Sequence, residues 1–391
     1  MVKKIVALSI AFVLMLAAPL YDVITAPPAS PVDFGAGDGT SLVIESPEKL
    51  NELLSNIPDI ETYLETNDMT TVNQNFKSFT MVEDGFSKQI QKFGSRETET
   101  YTQHVLEMCF AVDALYYHAV GVTRETESVK TDSGDVTSAE RTTTEYDMEI
   151  YYSKDKVLLK LNKIDYLEEE KKEGSSSFTV KEDKGEMFSI SAQMSLFKKC
   201  RGKWLELKEY TPDELANKLG ISAEDLSNPN NMSVDAQYSY AAYMYANEFA
   251  SANIEAINAS NQMNVAYLAK LGGYIVEKLQ TSFTESGDTY YLKDDSAVKN
   301  EYANAIVGAT VFDEDNNDDI EAEFNVGSTE SSIYQQWELG NNKVEMEATT
   351  TFKNLNNTVV NLKDQKITTV YEALKGAITD YLKEMSKEVE K

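Results

Sequence analysis

Apolar and polar residues alternate along several stretches of this chain, and a period of two predicts β-strands. The clearest run is 146–152, where Tyr146, Met148 and Ile150 alternate with acidic residues. Short turns separate this run from its neighbours, which favours an antiparallel sheet with one buried face. Similar patterns predict strands at 157–161, 188–196, 204–207, 320–326, 333–339 and 344–352.

The segment before Tyr146 predicts one long hairpin. Residues 98–130 contain many β-branched and aromatic residues and few strong breakers, and Ser133-Gly134 supplies a turn before the chain returns. His104 and His118 both fall within the first half of this hairpin. On a single strand they would lie far apart, so we expect neither to serve as a proton shuttle or metal ligand.

Three short segments before position 220 are predicted to be helical. Ser46-Pro47 followed by leucines predicts a helix at 46–57, and the apolar spacing of Phe86, Ile90 and Phe93 predicts a mainly helical stretch up to Gly94. Thr211 and Glu214 form a capping box with a proline between them, which predicts a helix at 212–219.

An alanine-rich segment at 234–279 predicts two packed helices, separated by the asparagine-rich stretch 258–264. Tyr238, Tyr245 and Phe249 share one helical stripe. Such a stripe is typical of core packing, and the alternative is that it lines a cavity for an apolar ligand. A further helix is predicted from Val370 to Met385.

The amino terminus has the layout of an export signal. Two lysines precede about sixteen apolar residues, a length typical of signal sequences and short for a membrane span. We interpret residues 1–26 as a signal sequence or uncleaved anchor, and the Pro- and Gly-rich residues 27–45 as a flexible linker. Residues 46–391 then form a single α+β domain with a helical insertion around 211–281. We expect an extracytoplasmic protein, secreted or associated with the cell surface.

The net charge limits the partners that the chain can bind, and the two cysteines limit its disulfides to one. The chain has 65 acidic and 36 basic residues, a formal net charge of −29, which repels nucleic acid and anionic lipid surfaces. Membrane contact is therefore expected only through the amino-terminal segment, if it is uncleaved. Cys109 and Cys200 could form a disulfide that closes a loop of about ninety residues and contributes about 4 to 5 kcal/mol; two separate buried thiols are the alternative.

No motif in the sequence predicts catalysis. There is no Gly-x-Ser-x-Gly elbow, no phosphate-binding glycine loop and no redox cysteine pair, so we expect no catalytic residues and no cofactor. Glycoside hydrolysis needs two carboxylates at a set separation in space, and any chain this acidic offers candidates for such a pair. The acidic segment 313–320 has the oxygen spacing of a calcium loop, but Asp318 replaces its glycine and Phe324 its final glutamate. We expect an acidic turn there and no metal site.

The order of elements resembles that of the extracytoplasmic lipoprotein-carrier group, the LolA and LppX-like proteins. The resemblance rests on Gly-Lys-Trp-Leu-Glu-Leu at 202–207 and on the segment 346–359 with its Phe-Lys-Asn-Leu-Asn-Asn turn. It implies a curved antiparallel half-barrel closed by helices over an apolar cavity, and carriage of a lipid or other apolar small molecule without chemistry.

Two functional classes therefore lead. The first is an exported, non-enzymatic binding protein that holds a hydrophobic ligand between a curved sheet and helices. The second is a cell-surface structural or protein-interaction module with a filled core. An enzyme that uses clustered carboxylates is a third.

Overall fold

The computed structural model describes most of the chain from residue 79 onward. Residues 1–78 lie outside the described part, and with them the predicted signal sequence or anchor, the predicted linker and the helix predicted at 46–57. The strand predicted at 188–196 and the acidic residues 313–319 also lie outside it. The described residues are 79–111, 114–131, 133–153, 156–181, 198, 200–222, 226, 232–307, 320–326, 330–339, 341–353, 358–360, 362 and 365–376.

A large, open and curved sheet of thirteen strands dominates the described chain. Every pairing is antiparallel except that of β7 with β13, which is parallel. The order across the sheet is β13-β7-β5-β4-β3-β2-β1-β12-β11-β10-β9-β8, with β6 beside β5. The strands are β1 Phe79–Phe93, β2 Arg96–Phe110, β3 Leu115–Lys130, β4 Val136–Ser153, β5 Lys156–Lys171, β6 Thr179–Val180, β7 Trp204–Glu206, β8 Phe283–Ser286, β9 Thr289–Leu292, β10 Glu321–Val326, β11 Glu330–Leu339, β12 Asn342–Lys353 and β13 Ile367–Thr369.

Helices occupy the region between β7 and β10 and follow β13. They are α1 Pro212–Leu219, α2 Val234–Ser282, α3 Ser296–Tyr302 with a π-helical continuation Ala303–Val307, and a helical segment α4 at 370–376. None of the described helices combines the length and apolar composition that a membrane span requires.

The alternating patterns predicted the long strands correctly. β4, β5, β11 and β12 each contain the run that was predicted as a strand, β10 covers all but the first residue of its run, and β7 begins at Trp204 as expected. The capping box also forms, because Thr211 accepts a hydrogen bond from the Glu214 N–H and Gly220 ends α1 in a left-handed conformation.

The helix predicted up to Gly94 is wrong, because residues 79–93 form strand β1. The apolar residues Phe86, Ile90 and Phe93 have helical spacing, but β1 pairs with β2 on one side and β12 on the other. Hydrogen bonds to two distant segments therefore outweigh the local pattern.

The long first strand of the predicted hairpin is two strands. The chain reverses between Ala111, whose N–H bonds to the carbonyl of Ala114, and β3, so β2 and β3 are antiparallel neighbours. The connection contains neither glycine nor proline, and the sequence therefore gave no turn signal. His104 and His118 consequently lie on adjacent strands instead of at two ends of one strand.

The prediction of two helices at 234–279 is also wrong, since α2 is one helix of 49 residues. Ser233 caps its start by accepting a hydrogen bond from the Ala236 N–H. Asparagine lowers helix propensity by up to about 0.7 kcal/mol per residue relative to alanine, which is too weak a bias to require a break.

One side of the sheet packs against helices, and we call it the helix side. On β3 this side carries Tyr117 and Ala119. They belong to a first core cluster that joins β1–β5 to α1, α2 and α4, and α2 contributes Tyr243 and Phe249 to it. A second core cluster lies at the other end of the sheet and joins Tyr274 of α2 to β8, β10 and α3.

Candidate functional site

Small residues occupy the middle of the helix side, between the two core clusters. Residues directly opposite one another on paired strands point to the same face, so the register identifies two neighbouring rows. One row runs Ala348, Gly85, His104, Gly121, Tyr146, and the next runs Met346, Ser87, Thr102, Thr123, Thr144. We call the small members of these rows the floor: Gly85, Ser87, Thr102, Gly121, Thr123, Thr144 and Ala348.

Gly121 is required by its neighbours. A Cβ atom at this position would lie 2.2 Å from the carbonyl oxygen of Gln103 and 2.4 Å from the hydroxyl oxygen of Tyr146. Contacts this short do not occur in real structures, so no other residue fits without displacement. The ring of Tyr146 therefore lies directly against the backbone of β3 at one end of the floor.

A glutamate and a histidine interrupt the apolar surface beside the floor. Glu83 stands in a row whose other members include Leu106, Ala119 and Met148, all of which are buried in the first core cluster. Its Oε1 lies 3.1 Å from Nε2 of His104. The His104 side chain is 2% exposed and that of Glu83 is 20% exposed. A carboxylate half-buried on an otherwise apolar face is unusual and often functional.

The three residues predicted as cavity lining lie along α2 as follows. Phe249 is buried in the first core cluster, and Tyr245 is partly buried at its edge. Burial raises the pKa of Tyr245 to about 12, with smaller contributions from the nearby Cys200 and Glu248. Tyr238 is partly exposed and does not belong to the cluster.

Two other tyrosines place hydroxyl groups inside the first core cluster. Tyr152 and Tyr243 are fully buried, and neither hydroxyl has a hydrogen-bond partner among the described residues. The Tyr243 ring lies 4.8 Å from the rings of both Tyr210 and Tyr371. The start of α2 is therefore packed closely against its surroundings.

The opposite side of the sheet contains a row of four ionisable residues, three of which are buried. Glu107, His118, Glu149 and Lys160 are direct neighbours on β2, β3, β4 and β5. The Glu149 carboxylate is completely buried and accepts hydrogen bonds from Lys160 Nζ at 2.7 Å and from the Tyr116 hydroxyl at 2.8 Å. A buried charge is tolerated when it is paired and hydrogen-bonded in this way.

Asp147 extends this row along β4. Its Oδ1 lies 3.0 Å from Nε2 of His118 and accepts a hydrogen bond from Asn162, which also donates to Glu149. Burial acts to raise the pKa of Asp147, but the hydrogen bonds from His118 and Asn162, with the charges of His118 and Lys160, outweigh it and lower the pKa. Asp147 and Glu149 each have several hydrogen-bond partners, which indicates a structural role for these two carboxylates.

The two cysteines do not pair in this structure. Cys200 is buried in the first core cluster, whereas Cys109 is buried in a third cluster with Tyr116, Leu158 and Trp204. Tyr116 and Leu158 belong to the side of the sheet that faces away from α2. The thiols are thus separate core residues, which is the alternative stated above.

The far ends of β2–β5 carry charged side chains. A groove of about 510 Å³ at the far ends of β2–β5 is lined by both signs of charge, including Arg96, Lys172 and Glu140. Among the described residues no group of His, Cys, Asp or Glu side chains is arranged to hold a metal ion.

Sequence reasoning missed the floor and Glu83. A signal was present, because Gly85 and Gly121 are glycines within segments rich in β-formers, and glycine inside a strand often marks a close approach. Their adjacency depends on the register of three strands, which the sequence does not show. Comparison of the chain with protein-family models, with curated proteins and with solved structures finds no match.

Proposed function

We propose that this chain is an exported, non-enzymatic protein that binds an apolar molecule between its curved sheet and helix α2. The observation that carries the proposal is the floor of small side chains on the helix side. Interior sheet faces are normally filled by large aliphatic and aromatic side chains. Here glycine, alanine, serine and threonine stand between two aromatic clusters, which favours a space that a ligand occupies.

The path of α2 supports this location. The helix contributes Phe249 to the first core cluster and Tyr274 to the second. At 1.5 Å per residue these positions are about 37 Å apart. The first cluster includes β4 and the second β10, and the six strand spacings between them span roughly 29 Å. The helix is therefore long enough to pass across the strands that carry the floor.

In its finer form the proposal is a half-barrel whose concave face is the helix side. Curvature of an open sheet brings its ends toward the same helix, and an apolar concave face must be covered by protein or ligand. The resemblance to lipoprotein carriers agrees with this form and motivates a lipid as the class of ligand.

Mass spectrometry under native conditions and solvent extraction test the proposal directly. We expect the purified protein to carry a co-purifying apolar molecule and to bind a fluorescent apolar probe in a displaceable manner. Protein that carries no such molecule and binds no probe would contradict the proposal.

A matched pair of variants on β12 locates the site. Ala348 lies on the floor, and its neighbour Thr349 points to the opposite side of the sheet. Ala348→Phe should fill the space and weaken probe binding at least tenfold, whereas Thr349→Phe should leave binding unchanged. Equal effects of the two substitutions would show that the probe binds elsewhere.

Export is a separate part of the proposal, supported by the sequence of residues 1–26. Cell fractionation with amino-terminal sequencing tests it. A mature chain that begins after residue 20 and is found outside the cytoplasm would identify a cleaved signal, and an intact amino terminus in the membrane fraction would identify an anchor. A chain recovered from the cytoplasm would contradict export.

The second candidate function is a surface module with a filled interior, and the packing of Tyr243 between Tyr210 and Tyr371 favours it. This module would bind no apolar probe, and Ala348→Phe would then alter stability alone. The same binding experiment therefore distinguishes the two functions.

A further inference from the structure

The chain has two histidines, and each is nearly completely buried next to a carboxylate on a neighbouring strand. The two pairs lie on opposite sides of the sheet and differ in how completely the carboxylate is bonded. Asp147 is bonded by His118 and by Asn162. Among the described residues, Glu83 has His104 as its hydrogen-bond partner, through Oε1.

The surroundings of Glu83 also differ. Leu106, directly opposite on β2, is buried in the first core cluster, and Gly85 of the floor is two residues along the same face of β1. An ionised carboxylate offers about four acceptor positions. One contact with His104 leaves most of this capacity available to a ligand group beside the floor.

We propose that Glu83 is the polar anchor of the ligand site and that the ligand is an apolar chain ending in a hydrogen-bond donor, a hydroxyl or an ammonium group. This inference rests on the proposed function. His104 holds the Glu83 carboxylate in place and is a positioning residue. A ligand carboxylate is disfavoured, because it would place two negative charges together in a poorly solvated site.

Four probes with the same fourteen-carbon chain test the inference: tetradecanol, its methyl ether, tetradecylamine and tetradecanoate. The full-length protein is titrated with each in competition with a fluorescent apolar probe. Hydrogen bonds to charged groups are strong enough for tetradecanol to bind about tenfold or more tightly than the ether, which lacks a donor. The amine compared with the alcohol shows which donor the site prefers.

Glu83→Gln removes the charge and keeps an acceptor, so we expect the preference for alcohol over ether to fall at least severalfold. Glu107→Gln is the matched control, since Glu107 lies on neighbouring strand β2 and faces the opposite side of the sheet. It should leave the preference unchanged. Circular dichroism of both variants verifies that they fold.

The outcomes separate this inference from the proposed function. Equal binding of alcohol and ether by the wild-type protein, or tighter binding of tetradecanoate than of tetradecanol, would overturn the role of Glu83 and leave apolar binding intact. A preference that survives Glu83→Gln unchanged would also overturn it. Failure of all four probes to bind would overturn both proposals.

Discussion

Replacing Gly121 by alanine places a methyl group where the structure has no room for it. The new Cβ would meet the Gln103 carbonyl oxygen at 2.2 Å and the Tyr146 ring at 2.4 to 2.6 Å. The carbonyl belongs to the neighbouring strand and cannot move without disturbing the β2–β3 pairing. Tyr146 is 1% exposed, so its ring cannot move into solvent without losing its packing contacts.

Overpacking a well-packed interior costs about 1 to 3 kcal/mol, and complete loss of an aromatic packing site costs about 3 to 5 kcal/mol. We therefore expect Gly121→Ala to lower the free energy of unfolding by about 1 to 3 kcal/mol. If the Tyr146 ring is expelled from its packing site, the loss should reach about 3 to 5 kcal/mol. Urea unfolding followed by circular dichroism should show a lower midpoint with an unchanged slope.

Gly376→Ala is the control, because no atom lies within 4 Å of the position that its Cβ would take. Gly376 lies in α4, where alanine is favoured over glycine by about 0.5 to 1 kcal/mol, so this variant should be as stable as wild type or slightly more stable. Adding Tyr146→Phe to Gly121→Ala removes one of the three close contacts, and the two changes should couple by at least about 0.5 kcal/mol. A Gly121→Ala protein that unfolds at the wild-type urea concentration would refute the close approach of Tyr146 to β3.

Three further predictions concern buried ionisable groups. Lys160→Met should lower the free energy of unfolding by about 3 to 5 kcal/mol at pH 7, because it leaves the Glu149 carboxylate buried without its cation. Urea unfolding measures this free energy, and a loss under about 1 kcal/mol would contradict the prediction. The pKa of Asp147 is lower in the folded state than its unfolded value of about 3.9. Its stabilising contribution is therefore present above that pH and is lost as the pH falls through the folded pKa. Asp147→Asn should reduce the dependence of the unfolding free energy on acid pH, and an identical dependence in the variant would count against the network. Burial raises the pKa of Cys200 to about 11. Iodoacetamide at pH 8 should therefore modify the Cys200 thiol slowly in the folded protein and rapidly in urea. Fast modification of the folded protein would place the thiol outside the core.

Local patterns predicted elements whose own residues carry the signal. The alternation of Tyr146, Met148 and Ile150 with acidic residues identified β4, because one face of this strand is buried and period two follows from that. The capping box at Thr211 predicted α1 because each of its hydrogen bonds lies within four residues. These elements required no knowledge of the rest of the chain.

Non-local pairing explains the failures. Strand β1 is hydrogen-bonded to β12, more than 250 residues away, and this pairing overrides the helical spacing of Phe86 and Ile90. The reversal before Leu115 was missed because a turn without glycine or proline gives no compositional signal. Both errors concern strands whose conformation is set by partners that lie elsewhere in the sequence.

The error at β1 also concealed the candidate site. A helix at 79–93 removes Glu83, Gly85 and Ser87 from the sheet, and the floor then loses one of its five strands. Glycine within a strand lowers stability by roughly 0.5 to 1 kcal/mol relative to alanine. Gly85 and Gly121, on the two strands that flank β2, therefore each lower the stability of the fold. Gly121 is accounted for by the Tyr146 ring, but Gly85 faces Ala348, another small residue. The ligand that we propose beneath α2 would supply a reason for a small residue at this second position.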